Sequence, residues 1–271
     1  MTVLDIARDQ VADLRSRRLL VVLAVGALLV IGGFCYTQAN ITSRMAQAQP
    51  HFLRMGAGGE ERGARLLARM EMASVLMETA MYTFVSIAAA VFSLVIFCTL
   101  VSAEQWRGSI QWVLAKPISR GQFLLGKWIG ACATLVVFVS IMSAVLVAYS
   151  WYAERSVRPS VGYSCVLIFF QSLLVGSVGV ALSMVLPPAL AGILAYFAGG
   201  DTLLTAVSSR SFTKPLYYLL PSYGEYGLHQ QFLTRIEITP ARVLVLAAYA
   251  LAYASVMLWL AHLAFRRREL C

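Results

Sequence analysis

Charged side chains are scarce in this 271-residue sequence. Asp, Glu, Lys and Arg make up 13% of it, whereas hydrophobic residues make up 59%. A soluble domain typically carries about 25% charged residues, so this chain has too little polar surface to cover a water-soluble globule. The composition therefore predicts an integral membrane protein.

Several chemical motifs are also missing. The sequence has no Gly-x-x-x-x-Gly-Lys-Ser/Thr phosphate loop, so the chain does not bind ATP by that device. It has no Ser-His-Asp set, no His-Glu-x-x-His and no pair of intramembrane aspartates, which disfavours an intramembrane hydrolase. Its five cysteines show no Cys-x-x-Cys spacing, and four lie in apolar runs as small fillers. We therefore expect no catalytic site, disulfide, metal or cofactor in the chain itself.

Positive charge is in excess, with 22 Lys and Arg against 13 Asp and Glu and a net charge of +9. The basic residues mostly flank apolar runs, which indicates the positive-inside bias and anionic lipid headgroups rather than nucleic acid. Their density near the span ends predicts that both termini are cytoplasmic. The first apolar run is too long for a signal peptide and lacks a small-residue cleavage site, so we expect it to be retained.

Apolar runs of about 20 residues can cross the hydrocarbon core as helices. Pro187-Pro188 predicts a tight turn between two such runs, and residues 40–78 and 208–241 are predicted as extracytoplasmic loops. Because 64–107 contain neither Gly nor Pro, the second span can also continue outward as a helix through 65–78; a separate surface helix is the alternative. The sequence thus predicts one all-α domain with about six spans, near 19–39, 79–103, 126–151, 161–186, 188–207 and 242–265.

Residues 1–18 predict an amphipathic helix at the membrane surface. An apolar set recurs at i, i+4, i+8 and i+11, which places it on one helical face. Such a helix lies among the headgroups and then turns into the first span; a simple topology anchor is the alternative interpretation. The apolar set is Val3, Ala7, Val11 and Leu14, and the basic residues of the helix are Arg8, Arg15, Arg17 and Arg18.

Residues 104–120 predict a short helix between spans two and three. Pro117 ends it, and its apolar face is formed by Trp106, Ile110, Val113 and Leu114. A short helix with mixed charge has little reason to persist at the membrane surface unless it packs against a partner. We therefore expect its apolar face to rest on the spans and its basic face to meet another protein.

These residues carry a resemblance to the permease subunits of ABC-2 type transporters. The matching pattern is Glu104, Gly108-Ser109, Pro117-Ile118-Ser119-Arg120 and then Gly126-Lys127. The N-terminal helix resembles the elbow helix of that family, and Tyr217–Ser222, spelled Tyr-Tyr-Leu-Leu-Pro-Ser, resembles its outer re-entrant segment; an aromatic belt at the interface is a compatible interpretation. The chain departs from the family at Asp9-Gln10, where many members carry an acidic residue two places after the Ala-Arg cluster begins.

The resemblance implies a bacterial inner-membrane exporter with a separate ATP-binding subunit and a second permease copy. The helix at 104–120 would be the coupling helix, which docks on the ATPase. Spans one, two and five would border the pathway. Implied coupling residues are Glu104, Trp106, Arg107, Gly108, Ser109, Pro117 and Arg120; the elbow residues are Arg8, Arg15, Arg17 and Arg18.

Asp201 is an ionisable residue inside a predicted span. Either it has a functional role at membrane depth, or it caps the segment that follows a helix break at Gly199-Gly200. Both interpretations place this stretch along or beside the pathway.

Two other functions remain open at the level of sequence. A secondary transporter usually shows internal repeats and several ionisable residues at mid-depth, whereas this chain shows no convincing repeat and only Asp201. An assembly or maturation subunit would transmit force to periplasmic partners, and some relatives are linked to maturation of copper enzymes. The long loop predicted at 40–78 leaves room for that role.

Overall fold

The computed structural model describes residues 3–16, 18–52, 57–100, 119–154, 159–199, 220–226 and 239–267. Every long element within these ranges is an α-helix, and residues Gly224–Tyr226 form one short 3-10 turn. The helices are α1 Val3–Ser16, α2 Arg18–Phe52, α3 Ala57–Cys98, α4 Arg120–Glu154, α5 Pro159–Ser183, α6 Pro188–Ala198 and α7 Pro240–Arg267. The predicted all-α membrane fold is confirmed.

Five of the described helices are long and apolar enough to cross a membrane. Their apolar stretches are Leu20–Thr37, Thr79–Cys98, Arg120–Trp151, Val161–Ser183 and Pro240–Arg266. Of the span predicted at 188–207, the described part is α6, which is apolar but only 11 residues long. It starts directly after a turn at 184–187, with Pro188 at its first position, where a missing N–H costs nothing.

Helices α3 and α5 form the centre of the bundle. In each, 61% of the apolar stretch is buried, against 17% in α2 and 22% in α7, whose remaining side chains face outward. The two central helices approach closely at Gly176, where an added Cβ would collide with Ser93 and Phe97. Ser93 donates a 2.6 Å hydrogen bond to the carbonyl of Ser172 across this contact. Close backbone approach with satisfied hydroxyl groups is the usual way helices associate in lipid.

The structure differs from the loop predicted at 40–78. Helix α2 continues about 22 Å beyond the end of its apolar stretch, and α3 begins about 33 Å before its own, at 1.5 Å per residue. The loop prediction ended each helix where hydrophobicity ended. Met, Ala, Gln, Glu, Leu and Arg, which are frequent in 44–78, all favour helix outside lipid as well. The unbroken course of α3 agrees with the alternative in which span two continues outward.

Candidate coupling junction

Ser119 and Gln122 set the start of α4. The Gln122 backbone N–H donates to Ser119 Oγ, and the Ser119 N–H donates to Gln122 Oε1, each at 3.2 Å. This reciprocal pair is a capping box, which satisfies two helix N-terminal donors at once. The third-span helix therefore begins at Arg120 rather than near Gly126, and Arg120, predicted as the end of the coupling helix, is its first residue.

Arg120 binds the other end of the chain. Its Nη1 donates to the carbonyl oxygens of Phe265 and Arg266, at 3.4 and 3.3 Å, and its guanidinium lies 5.9 Å from the centre of the Phe265 ring. These carbonyls belong to the last turn of α7, where carbonyl groups have no hydrogen-bond donors within their own helix. The side chain implied by resemblance to serve ATPase coupling thus holds the C-terminal end of the last span.

Aromatic and glycine contacts tighten this attachment. The Phe123 and Phe265 rings stack with centroids 6.4 Å apart, and both side chains are almost fully buried. One turn away, His262 packs against Gly121, where an added Cβ would lie 3.1 Å from its Cε1 atom. A larger residue at 121 would therefore displace the imidazole.

The N-terminal helix α1 docks on the next turns of α4. Gly126 and Gly130, one turn apart, form the contact surface: a Cβ at 126 would lie 2.8 Å from Ile6 Cβ, and one at 130 would lie 2.7 Å from the Ala7 carbonyl oxygen. These distances are shorter than Cβ contacts allow, so α1 can approach this closely only because both positions are glycine. Sequence reasoning had used Gly126 as a family marker and had missed Gly130.

The buried face of α1 agrees only in part with the predicted one. Ala7 and Leu14 are buried as predicted, together with Ile6 and Gln10, whereas Val11, predicted on the same face, is 38% exposed. The prediction assumed that lipid selects the most hydrophobic face. Packing against α4 selects a face that includes a glutamine instead.

Gln10 belongs to that face because it pairs with Lys127. Lys127 Nζ donates a 2.6 Å hydrogen bond to Gln10 Oε1, and the Lys127 residue is only 6% exposed. The same ammonium lies 5.7 Å from the centre of the Phe123 ring. At the position where the chain departs from the family, Gln10 therefore makes a buried polar contact, while Asp9 is exposed. Contacts run without a gap from α1 through Lys127, Phe123 and Phe265 to α7.

The other coupling and elbow residues are only partly described. Arg8 and Arg18 are exposed, while Arg17 and the side chain of Arg15 lie outside the described parts of the chain. The predicted coupling residues Glu104, Trp106, Arg107, Gly108, Ser109 and Pro117 also lie outside them, in the gap between 100 and 119.

Two tyrosines attach the segment 220–226 to helices α6 and α7. Helix α6 ends at Ala198, and an added Cβ at Gly199 would collide with the Pro221 carbonyl oxygen and the Tyr223 ring. The Tyr223 N–H donates to the Gly199 carbonyl at 3.2 Å, and its hydroxyl donates to the Ala195 carbonyl at 3.0 Å. Gly199 thus receives the segment after residue 219, whereas Gly200 and Asp201 lie outside the described residues.

Tyr226 attaches the same segment to the last span. Its hydroxyl donates to the Leu246 carbonyl at 2.7 Å. Burial raises the pKa of both the Tyr223 and the Tyr226 hydroxyl above their ordinary range, so both remain protonated donors. We call Gly199, Tyr223 and Tyr226 with their partner carbonyls the tyrosine lock. The segment predicted from sequence ended at Ser222 and therefore did not include Tyr223 or Tyr226. The signal that could have found them is the repeated Tyr that follows Pro221-Ser222.

Five apolar helices around a buried centre, with a basic junction at one end, define a polytopic helical membrane protein. Comparison with family descriptions gives a match over residues 6–270 to the ABC-2 family transporter proteins. The chain belongs to the ABC-2 transporter family, as the resemblance in its sequence predicted. Comparison with curated proteins gives no match.

Proposed function

We propose that this chain is the permease subunit of an ATP-driven ABC-2 exporter. It would form the translocation pathway, and a separate ATP-binding subunit would hydrolyse ATP. The observation that carries the proposal is the junction at the start of α4. The predicted coupling helix leads directly into a helix end that contacts both α1 and α7, so force applied there would reach two further elements of the fold.

The arrangement of charge supports a cytoplasmic location for this junction. The N-terminal helix, the start of α4 and the end of α7 meet at one end of the bundle, and Arg8, Arg18, Arg120 and Arg266 lie on these elements or next to them. Positive charge near span ends favours the cytoplasmic side. The proposal therefore places both termini in the cytoplasm of a bacterial cell, with the tyrosine lock facing outward.

A second copy of the permease and a pair of ATPase subunits complete the proposed assembly. The chain provides five long spans and one short apolar helix in its described residues. In the family, two such halves enclose one pathway. The weakly buried α2 leaves a whole helical face for lipid or for the second copy.

One observation favours the alternative role of an assembly subunit that acts on extracytoplasmic partners. Helices α2 and α3 both continue well beyond their apolar stretches. Under the proposed topology, these extensions lie outside the membrane and would give such partners a helical surface. The ATPase would couple to the permease in the same way in both roles, exporter and assembly subunit.

Affinity purification from the native membrane in mild detergent, followed by mass spectrometry, tests the proposal. A co-purifying ATP-binding subunit supports it, and stable recovery of the chain alone in several detergents contradicts it. With the complex in hand, Arg107→Glu and Trp106→Ala should uncouple ATP hydrolysis from transport, because both lie in the predicted coupling helix. Arg242→Glu, at the opposite end of the bundle, is the matched control.

A further inference from the structure

We propose that α7 is a second moving element of the coupling mechanism, and that Arg120 is the positioning residue that connects it to α4. This inference rests on the proposed function. It assigns Arg120 a role within the permease, in place of the direct contact with the ATPase that the family resemblance implied.

The end of α7 is a favourable place for the charge of Arg120. Arg120 occupies the first turn of α4, where the helix dipole disfavours a positive charge. The same guanidinium lies at the C-terminal end of α7, where the dipole and the unpaired carbonyls favour one. The guanidinium donates to the Phe265 and Arg266 carbonyls at 3.4 and 3.3 Å, which is longer than a typical charge-assisted hydrogen bond, so the favourable charge of the position matters more than the bonds themselves.

The attachment between α4 and α7 resists rotation because it has several points. Arg120, Gly121 and Phe123 of α4 meet a single face of α7, formed by His262, Phe265 and Arg266. Stacked rings and a close glycine contact fix the relative angle of the two helices. The guanidinium fixes their relative position along the helix axes. A displacement of the α4 N-terminus therefore carries the end of α7 with it.

The opposite end of α7 makes this movement relevant to transport. Tyr226 bonds to the Leu246 carbonyl, and Tyr223 in the same segment bonds to the end of α6. Helix α7 thus connects the coupling junction to the tyrosine lock in one rigid length. Helix α7 also packs along the central helix α5, so its movement would reach both that helix and the tyrosine lock.

Spin labels on α4 and α7 test the connection in the full complex with its ATPase. Leu125 on α4 and Leu260 on α7 are both exposed, so cysteine at either position, in a background without the native cysteines, carries a label. In the wild type we expect both labels to respond when a non-hydrolysable ATP analogue is added. In Arg120→Gln we expect the response at 260 to be lost, while the response at 125 and the amount of co-purified ATPase stay unchanged.

Two further variants make the result specific. Arg120→Lys keeps the charge but loses the planar guanidinium over the Phe265 ring, so we expect partial recovery of the response at 260. Arg242→Gln removes an arginine from the outer end of α7 and should leave both responses intact. A full response at 260 in Arg120→Gln would overturn the inference, as would a wild-type complex in which only the label at 125 responds. If no ATP-binding subunit co-purifies with the wild-type chain, both the proposed function and this inference are overturned.

Discussion

The two ends of the bundle are held together by different chemistry. At the coupling junction, buried or half-buried cations bond to an amide and to helix carbonyls, and glycines allow helices to touch. At the tyrosine lock, neutral hydroxyls donate to carbonyls. A buried cation is costly to leave without its partner, whereas a neutral hydrogen bond contributes about 1 kcal/mol. The comparison indicates a firmly joined coupling junction and a tyrosine lock that can open at modest cost.

The largest expected effect comes from filling the glycine contact of the junction. Gly130→Leu should destabilise the protein by about 3 kcal/mol, because its Cβ already collides with the α1 backbone at Ala7. Thermal unfolding in detergent, followed by size-exclusion chromatography, measures the loss. Gly33→Leu is the control, since an added Cβ there meets nothing within 4 Å. Equal melting temperatures for both variants would show that α1 does not dock on α4 as described.

Breaking the buried polar pair should have the next largest effect. Lys127→Ala leaves the Gln10 amide, which is only 1% exposed, without its donor and should cost about 2 kcal/mol. The double variant Gln10→Leu with Lys127→Met replaces both partners by apolar groups of similar size, so most of that stability should return. The same thermal assay on Gln10→Leu, on Lys127→Met and on the double variant gives the coupling between the residues. Additive losses would contradict a direct contact.

The sequence predicted the elements better than their contacts. Ser119 and Gln122 form a capping box whose Ser-x-x-Gln pattern is a local signal for the start of a helix. The pairing of Gln10 with Lys127 joins residues 117 positions apart and leaves no local signal. Helix α1 shows why contacts are harder to predict. Its buried face is selected by packing against the glycines of α4, and the hydrophobicity pattern of α1 contains no information about α4.

The positions of the helix ends were predicted less well for a related reason. Hydropathy locates the stretch of chain that prefers lipid, but helices continue wherever propensity allows, as α2 and α3 do beyond their apolar stretches. At Gly199 the sequence indicated the break in the helix. The segment that fills this break comes from residues more than 20 positions later, so only the fold reveals it.

At the tyrosine lock, Tyr223→Phe should cost about 1 kcal/mol, since it removes one neutral hydrogen bond to the Ala195 carbonyl. Tyr36→Phe is the control, because that side chain is 72% exposed. Burial raises the pKa of Tyr223 above its ordinary value of 10.0, so the stability it provides is present below pH 10.0 and is lost as the pH rises beyond it. Thermal unfolding across alkaline pH should therefore show a smaller decline in Tyr223→Phe than in the wild type.

The smallest effect is expected at the ion pair between Arg242, near the start of α7, and Glu225. Their closest atoms are 3.4 Å apart, and the side chains are 41% and 62% exposed. Solvent screens such a pair, so Glu225→Gln should change stability by about 0.5 kcal/mol or less, and high salt should remove the difference. Melting temperatures at low and high salt measure it. A loss as large as that of Lys127→Ala, insensitive to salt, would mean that charge holds both ends of the bundle and would remove the contrast between them.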